Sequence, residues 1–302
     1  MQNALFYVVT VLIWGSTWLA IKFQLGVVAP ELSIAYRFSL AAILLFLYSA
    51  VRRLPLRFSR RQHLFMVLQG FLLFSFNYIM VYLAESHLTS GLVSLLFSTI
   101  IISNVVLGAI FLGAPVRMRV VLGALVGILG IGVIFYPELA SFDLSGGGGL
   151  GVMLSLVSVV SASLGNIVSA RNQREGLPVI QTNAFGMAYG AAFMFVLAGI
   201  NKAPLHFDLS LGYTASLLFL ALFGSVIAFG AYLTLLGRIG ADQAAYVTVL
   251  FPVISLLLST LFEGLTWDLA QLGGVALVLL GNAIVLARIR RPVRALAGTA
   301  SD

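Results

Sequence analysis

The chain has 302 residues, of which 61% are hydrophobic and only 9% charged, where a soluble domain would carry about 25% charged residues. Its mean hydropathy of +1.08 and its long apolar stretches exclude a water-soluble fold. The complete lack of cysteine excludes disulfides, thiolate nucleophiles and Cys-ligated metals. The net charge of +7 suggests an acidic partner until its distribution is read.

Ten apolar stretches fall at 3–25, 31–51, 64–86, 90–112, 119–136, 149–170, 179–200, 212–236, 243–263 and 269–288. A helix of about twenty residues matches the roughly 30 Å hydrocarbon core of a bilayer. The pattern predicts an all-α polytopic membrane protein of ten transmembrane helices. The alternating ten-residue strands of an outer-membrane barrel are absent. The first stretch lacks a basic leader region and a small-residue cleavage site, and reads as a retained helix.

Along that first stretch, Tyr7, Trp14 and Trp18 share a face at 100° per residue, with Thr17 and Lys22 close by; Tyr7, near the helix end, reads as an interfacial anchor. Pro30 opens the second stretch, which carries Arg37 in its outer part. Ser75, Tyr78, Tyr82 and Glu85 form a stripe on the third, and Ser90, Ser94, Phe97 and Asn104 one on the fourth. The fifth carries Gly123-x6-Gly130 and Gly123-x3-Gly127, spacings suited to close helix packing within the chain. A run from Ser145 to Gly149 then reads as a flexible linker or as the hinge between two halves. The sixth aligns Ser155, Ser158, Asn166 and Ser169. Pro178 opens the seventh, Tyr232-Leu233 in the eighth repeats Tyr82-Leu83, and the ninth aligns Thr248, Phe251, Ser255 and Ser259 beside Pro252, with Glu263 at its outer end. Gly274-x6-Gly281 in the tenth repeats the fifth.

The parallels run from 30 to 178, from 82 to 232 and from 123 to 274, offsets of 148, 150 and 151. They predict a five-helix unit duplicated once, residues 1–144 and 145–302. Because five is odd, the second copy crosses in the opposite sense, giving inverted repeats with a substrate site between them near the midplane. With both termini cytoplasmic, every Lys and Arg except Lys22, Arg37 and Lys202 falls on the cytoplasmic side. That is the positive-inside pattern, so the basic residues serve topology and headgroup contact rather than nucleic acid.

The stretch Trp14-Gly15-Ser16-Thr17-Trp18-Leu19-Ala20-Ile21-Lys22 resembles the first-helix signature of the drug/metabolite transporter superfamily, EamA type. Pro30-Glu31-Leu32-Ser33-Ile34-Ala35-Tyr36-Arg37-Phe38, followed by Leu40-Ala41-Ala42, is similar to its second-helix signature. Ala241, Pro252 and Phe262-Glu263-Gly264-Leu265 look like its ninth-helix pattern. The resemblance covers nearly the whole chain. It implies ten helices in two inverted repeats in the inner membrane and export of amino acids or other small metabolites; within the superfamily, the YddG-like exporters of aromatic amino acids are the suspected relatives.

Polar faces inside spans point inward, because lipid offers no hydrogen-bond partner. The candidate substrate pathway is therefore Trp14, Thr17, Trp18, Lys22, Arg37, Ser75, Tyr78, Tyr82, Ser94, Phe97, Asn104, Asn166, Thr248, Pro252 and Ser255. Single hydroxyls also serve as interhelical glue. Lys22 and Arg37 either attract a substrate carboxylate or play structural parts, Arg37 by pairing with Glu31 or Glu85 and Lys22 by snorkelling. Glu85 and Glu263 are candidates for gating or coupling. No carboxylate sits at mid-membrane, which points to uncoupled transport. Pro252 frees a backbone carbonyl. His63, His87 and His206 belong to no catalytic motif and no Walker A sequence is present, so neither an enzyme, a cofactor, a metal nor an ATPase subunit is expected. The expected partners are a small-molecule substrate and membrane lipids. The competing readings are a multidrug or phosphorylated-metabolite/nucleotide-sugar exchanger, a lipid-modifying enzyme and a non-transporting scaffold.

Overall fold

A computed structural model describes residues 2–88, 90–134, 136, 140, 147–263 and 268–286; inside its helices, the side chains at 18, 19, 22, 90–92, 255, 256, 258–263 and 286 lie outside the description. The described elements are α1 (Gln2–Lys22), α2 (Pro30–Val51), α3 (Arg60–Phe71), α4 (Asn77–Glu85), α5 (Ser90–Phe97), α6 (Ile100–Leu112), α7 (Met118–Ile134), α8 (Gly149–Arg174), α9 (Val179–Ile200), α10 (Leu211–Phe219), α11 (Ala228–Ile239), α12 (Ala241–Ala244), α13 (Val247–Glu263) and α14 (Leu269–Leu286). Local signals set several starts. Pro30 sits in the first turn of α2, Pro178 precedes α9, and Ser59 with Gln62 closes a capping box on α3, where each side chain satisfies a backbone N–H the helix leaves open.

Among the described residues, six segments are long and apolar enough to cross a membrane: 30–51, 60–85, 93–112, 149–174, 179–200 and 211–239. The other predicted stretches are helical as well. Polarity is arranged as lipid demands. Leu122, Leu125, Leu129, Val196, Leu279 and Leu280 face outward, while Gln69, Asn104, Ser155, Ser158, Ser163, Asn166, Asn172 and Asn183 are buried. In hydrocarbon the apolar face costs nothing to expose and the polar face must find partners inside. The protein is a polytopic membrane protein.

Close approach between helices depends on glycine. The two Gly-x6-Gly motifs lie on α7 and α14 and pack against one another in antiparallel sense. A Cβ on Gly123 would lie 2.7 Å from the Gly281 carbonyl oxygen, and one on Gly130 2.6 Å from that of Gly274. Gly127 meets Tyr246, which donates to the Gly123 and Val278 carbonyls at 3.2 Å each. Gly130→Ala forces backbone apart along this seam, an overpacking cost of about 1–3 kcal/mol. The expected result is a lower thermal midpoint in detergent, whereas Gly132→Ala, with open space around its Cβ position, leaves the midpoint unchanged.

The chain contacts follow a swap. α2 packs on α9 and α7 on α14; α1 packs on α13 as α6 does on α8; α4 packs on α8 as α1 does on α11. The third of the ten predicted stretches contains i→i+5 turns at Leu72–Phe76 and the eighth contains another set at Leu220–Ile227. The fourth is interrupted at 98–99 and the ninth at 245–246. Wide turns and interruptions release carbonyls from the helical ladder, and these take side-chain donors. Ser161 Oγ donates to Leu72 O at 2.8 Å, Trp14 Nε1 to Gly224 O at 3.1 Å and Ser225 Oγ to Leu220 O at 3.0 Å. Pro252 has no N–H to offer Thr248 four residues earlier; Ser98 Oγ donates to that carbonyl instead, at 3.0 Å. One interruption thus serves the other.

Tyr7 is not an interfacial anchor. It is 7% exposed, and its hydroxyl donates to Asn282 Oδ1 at 2.9 Å, tying α1 to α14.

Candidate functional site: a central aromatic cavity

Where these irregular helices meet, they leave a cavity of about 80 Å³. α1 contributes Trp14, Thr17 and Ile21 to its wall, and α2 contributes Arg37. The wide turn at 72–76 and α4 add Leu73, Asn77, Tyr78 and Val81; α5 and α6 add Phe97 and Ile100. From the later part of the chain come Ala162 and Asn166 on α8, Phe229 and Tyr232 on α11, and Thr248 and Phe251 on α13. Most of this wall is apolar and aromatic, with a few fixed polar groups, as small-molecule sites usually are.

The aromatic side is one packed assembly. Trp14 meets Phe229 and Tyr232 with ring centroids 4.9 Å apart in each case. Phe229 meets Phe74 at 5.0 Å, Phe74 meets Phe38 at 5.4 Å, and Phe38 meets Tyr78 at 4.9 Å. Edge-to-face and tilted contacts of this kind add about 0.5–1.5 kcal/mol per pair beyond burial, which fixes the wall's shape.

Polar groups lie at two places. Arg37, 2% exposed, donates from Nε to Ser225 Oγ at 2.9 Å and from Nη2 to the Tyr78 hydroxyl at 3.4 Å. Its guanidinium carbon is 4.8 Å from the Tyr78 ring centroid and 5.2 Å from that of Phe38. The ion pairs among the described residues are Arg117–Asp242 and Arg171–Glu175; Arg37 is in neither. Glu31, one proposed partner, accepts from Asn201 at 3.0 Å instead. At the second place, Asn166 Nδ2 donates to the Tyr232 hydroxyl at 3.0 Å, and Ser163 Oγ to Asn104 Oδ1 at 2.6 Å. Asn104 Nδ2 in turn donates to the Ala241 carbonyl at 3.1 Å. Beyond this layer a second recess of about 400 Å³ is lined by Asn104, Arg117, Arg174, Arg238 and Asp242, among others. Asn104, Ser163, Asn166 and Tyr232 therefore form a polar floor between the aromatic cavity and a basic vestibule.

The EamA-like transporter family model matches residues 2–136 and again residues 149–287. The chain belongs to this family. An uncharacterized inner membrane transporter, YedA of Escherichia coli, is 28% identical over 284 residues, covering 91% of this chain and 87% of that one. The uncharacterized transporter YoaV of Bacillus subtilis is 28% identical over 247 residues, 81% and 83% of the two chains. An uncharacterized transporter of Archaeoglobus fulgidus is 25% identical over 286 residues, 95% and 99%. A solved crystal structure at 20% identity covers 94% of this chain and 96% of its own with a TM-score of 0.78, a likeness of fold.

In this EamA-like chain, the residues predicted to line a pathway divide into three groups. Trp14, Thr17, Arg37, Tyr78, Phe97, Asn166 and Thr248 lie together on the cavity wall. Ser75, Tyr82, Ser94, Asn104 and Pro252 are buried outside it: Asn104 in the polar floor, Pro252 behind Phe251 and Ser75 in the wide turn. Glu85 closes α4 away from that wall. The side chains of Trp18, Lys22, Ser255 and Glu263 lie outside the described residues, as do Ser145 and Gly146 of the glycine run. Sequence reasoning missed Asn77, Phe229 and Tyr232 as wall residues. Asn77 was the visible signal: an amide in mid-span, which donates from Nδ2 to Leu73 O at 3.2 Å and accepts from Ser158 at 2.7 Å.

Proposed function

We propose that this protein is a secondary exporter of amino acids, aromatic or other neutral, across the inner membrane, in the manner of YddG-like exporters. Ten spans form two inverted halves, 1–144 and 145–302, with both termini in the cytoplasm, and the halves rock about the central cavity to expose it to each side in turn. One observation carries the reading: the cavity takes its wall from both halves, at the points where the third and eighth segments widen and the fourth and ninth are interrupted. Irregular backbone inside a membrane is tolerated where it lines a cavity or is buried in protein, and paired irregularities give a bundle two places to bend.

Rings at Trp14, Tyr78, Phe97, Phe229 and Phe251 suit an aromatic or apolar side chain. Among the described residues of the wall no side chain is acidic and Arg37 is the single cation. This favours a neutral amino acid over a phosphorylated or nucleotide-linked metabolite, whose charge would call for several cations. It also favours facilitated diffusion or exchange over proton antiport.

The test is efflux from proteoliposomes loaded with labelled amino acids, with and without a pH gradient. Saturable release of an aromatic or other neutral subset, at a rate the gradient does not change, is the expected result. Release that needs the gradient overturns the uncoupled part and directs attention to Glu85 and Glu263. No release of any member overturns the amino-acid reading.

A further inference from the structure

A cation held inside a membrane protein is expensive and ordinarily pairs with an acid or lines a pathway. Arg37 has no acidic partner among the described residues. Its Nε and Nη2 are engaged by neutral oxygens of Ser225 and Tyr78, and ring faces flank it on Phe38 and Tyr78. Its Nη1 is buried with no hydrogen-bond partner among the described residues, on a side chain that lines the cavity. Neutral dipoles and ring faces orient a guanidinium without cancelling its charge. The two engaged nitrogens fix the plane of the fork, and the third donor is left for something that enters the cavity.

We propose that Arg37 is the anion anchor of the cavity, its Nη1 taking a carboxylate oxygen of an organic monocarboxylate with an aromatic or apolar side chain. The Tyr78 hydroxyl, which accepts from Nη2, keeps its own proton to donate to the second carboxylate oxygen. A single cation matches a single negative charge, so the ligand is a monoanion at this end. At the other polar place, Asn166 Oδ1 is also buried without a partner among the described residues and is the acceptor for a donor carried by the same ligand; a zwitterionic amino acid supplies both. Gly224 makes room for this anchor, because a Cβ there would lie 3.2 Å from Arg37 Nη2 and 3.0 Å from Thr17 Cγ2. Ser225 belongs to the later half of the chain and Arg37 to the earlier one, so a ligand on Arg37 bears on both.

The inference rests on the transporter reading but is separable from it by ligand chemistry. Four probes share one ring: phenylalanine, phenylalaninamide, 3-phenylpropionate and phenethylamine. Their binding to the purified full chain is measured by titration calorimetry, for the wild type, Arg37→Gln and Arg37→Lys, each checked for monodispersity. The expected result is that the two carboxylates bind wild type at least about tenfold more tightly than the two amines, the size of one hydrogen bond to a charged group. Arg37→Gln erases that preference and Arg37→Lys keeps part of it. Should Arg37→Gln fail to fold, the wild-type series and Arg37→Lys still decide. A preference for carboxylates that persists in Arg37→Gln overturns the anchor, as does equal binding of all four probes to wild type. Binding of 3-phenylpropionate without phenylalanine keeps the anchor and overturns the amino-acid reading. Binding of none of the four overturns both.

Discussion

Asn104→Leu is expected to lower the thermal midpoint of the detergent-purified protein more than any single substitution at its neighbours. Leucine is close in size to asparagine, so the effect isolates polarity from volume. The substitution removes the acceptor of Ser163 Oγ and the donor to the Ala241 carbonyl. Ser163 is fully buried, so its orphaned hydroxyl finds no water, whereas Ala241 borders the second recess and its carbonyl is the lesser loss. A buried polar group left without its partner costs roughly 1–3 kcal/mol, and membrane side-chain hydrogen bonds measure about 0.6 kcal/mol on average, with a maximum near 1.7. The orphaned Ser163 hydroxyl then costs about 1–3 kcal/mol, a large part of the stability of a protein that holds itself by about 5–15 kcal/mol.

A double-mutant cycle supplies the decisive comparison. Ser163→Ala alone removes one donor from Asn104 Oδ1 and costs less. Once Asn104 is gone, Ser163→Ala removes an orphan and recovers part of the loss, so the pair is less than additive. Additive losses, or an Asn104→Leu protein as stable as wild type, would mean that the polar floor is not the unit the hydrogen bonds describe.

That floor also marks where sequence reasoning stops. Periodicity and length located every helical stretch to within a few residues, because bilayer thickness and the lack of lipid hydrogen-bond partners leave few alternatives. The two Gly-x6-Gly motifs were visible as a repeat, but their contact with each other was not, since spacing says which face is small and not which helix meets it. The wall itself was partly legible. A step of 100° per residue places Ser75 and Tyr78 on one face, but the i→i+5 turns at 72–76 shift the phase, bringing Asn77 with Tyr78 onto the wall and leaving Ser75 behind it. The interruption at 98–99 does the same between Phe97, which reaches the cavity, and Asn104 beyond the break, which does not; Ser94 shares Phe97's helix and still lies off the wall. Phe229 was missed because a phenylalanine in an apolar span carries no mark of its own. Pro252 shows the reverse case: the freed carbonyl of Thr248 was foreseeable, while its donor, Ser98, lies 150 positions away along the sequence and only the fold brings it there.

Ala162→Phe separates stability from transport by removing the second and keeping the first. Ala162 is 1% exposed, and it lines the cavity. A phenyl ring there enters empty space among Trp14, Phe229 and Tyr232, and burying it is worth about 1.5–3 kcal/mol in the water-to-apolar limit; cavity-filling changes in practice return about 0.5–2 kcal/mol. Against this stands the cost of overpacking, about 1–3 kcal/mol when a ring meets well-packed atoms. The cavity of about 80 Å³ is of the order of the added ring, so the two terms nearly balance and the thermal midpoint holds. Transport is lost, because the ring occupies the volume a substrate side chain would need and props apart helices from both halves. The expected outcome is a stable, monodisperse protein whose proteoliposomes release no labelled substrate. Wild-type rates from Ala162→Phe would show that solute does not pass through this cavity. A sharply lowered midpoint would show that the space beside Ala162 is closed to a ring, and the experiment would pass to Thr248→Phe on the α13 side of the wall.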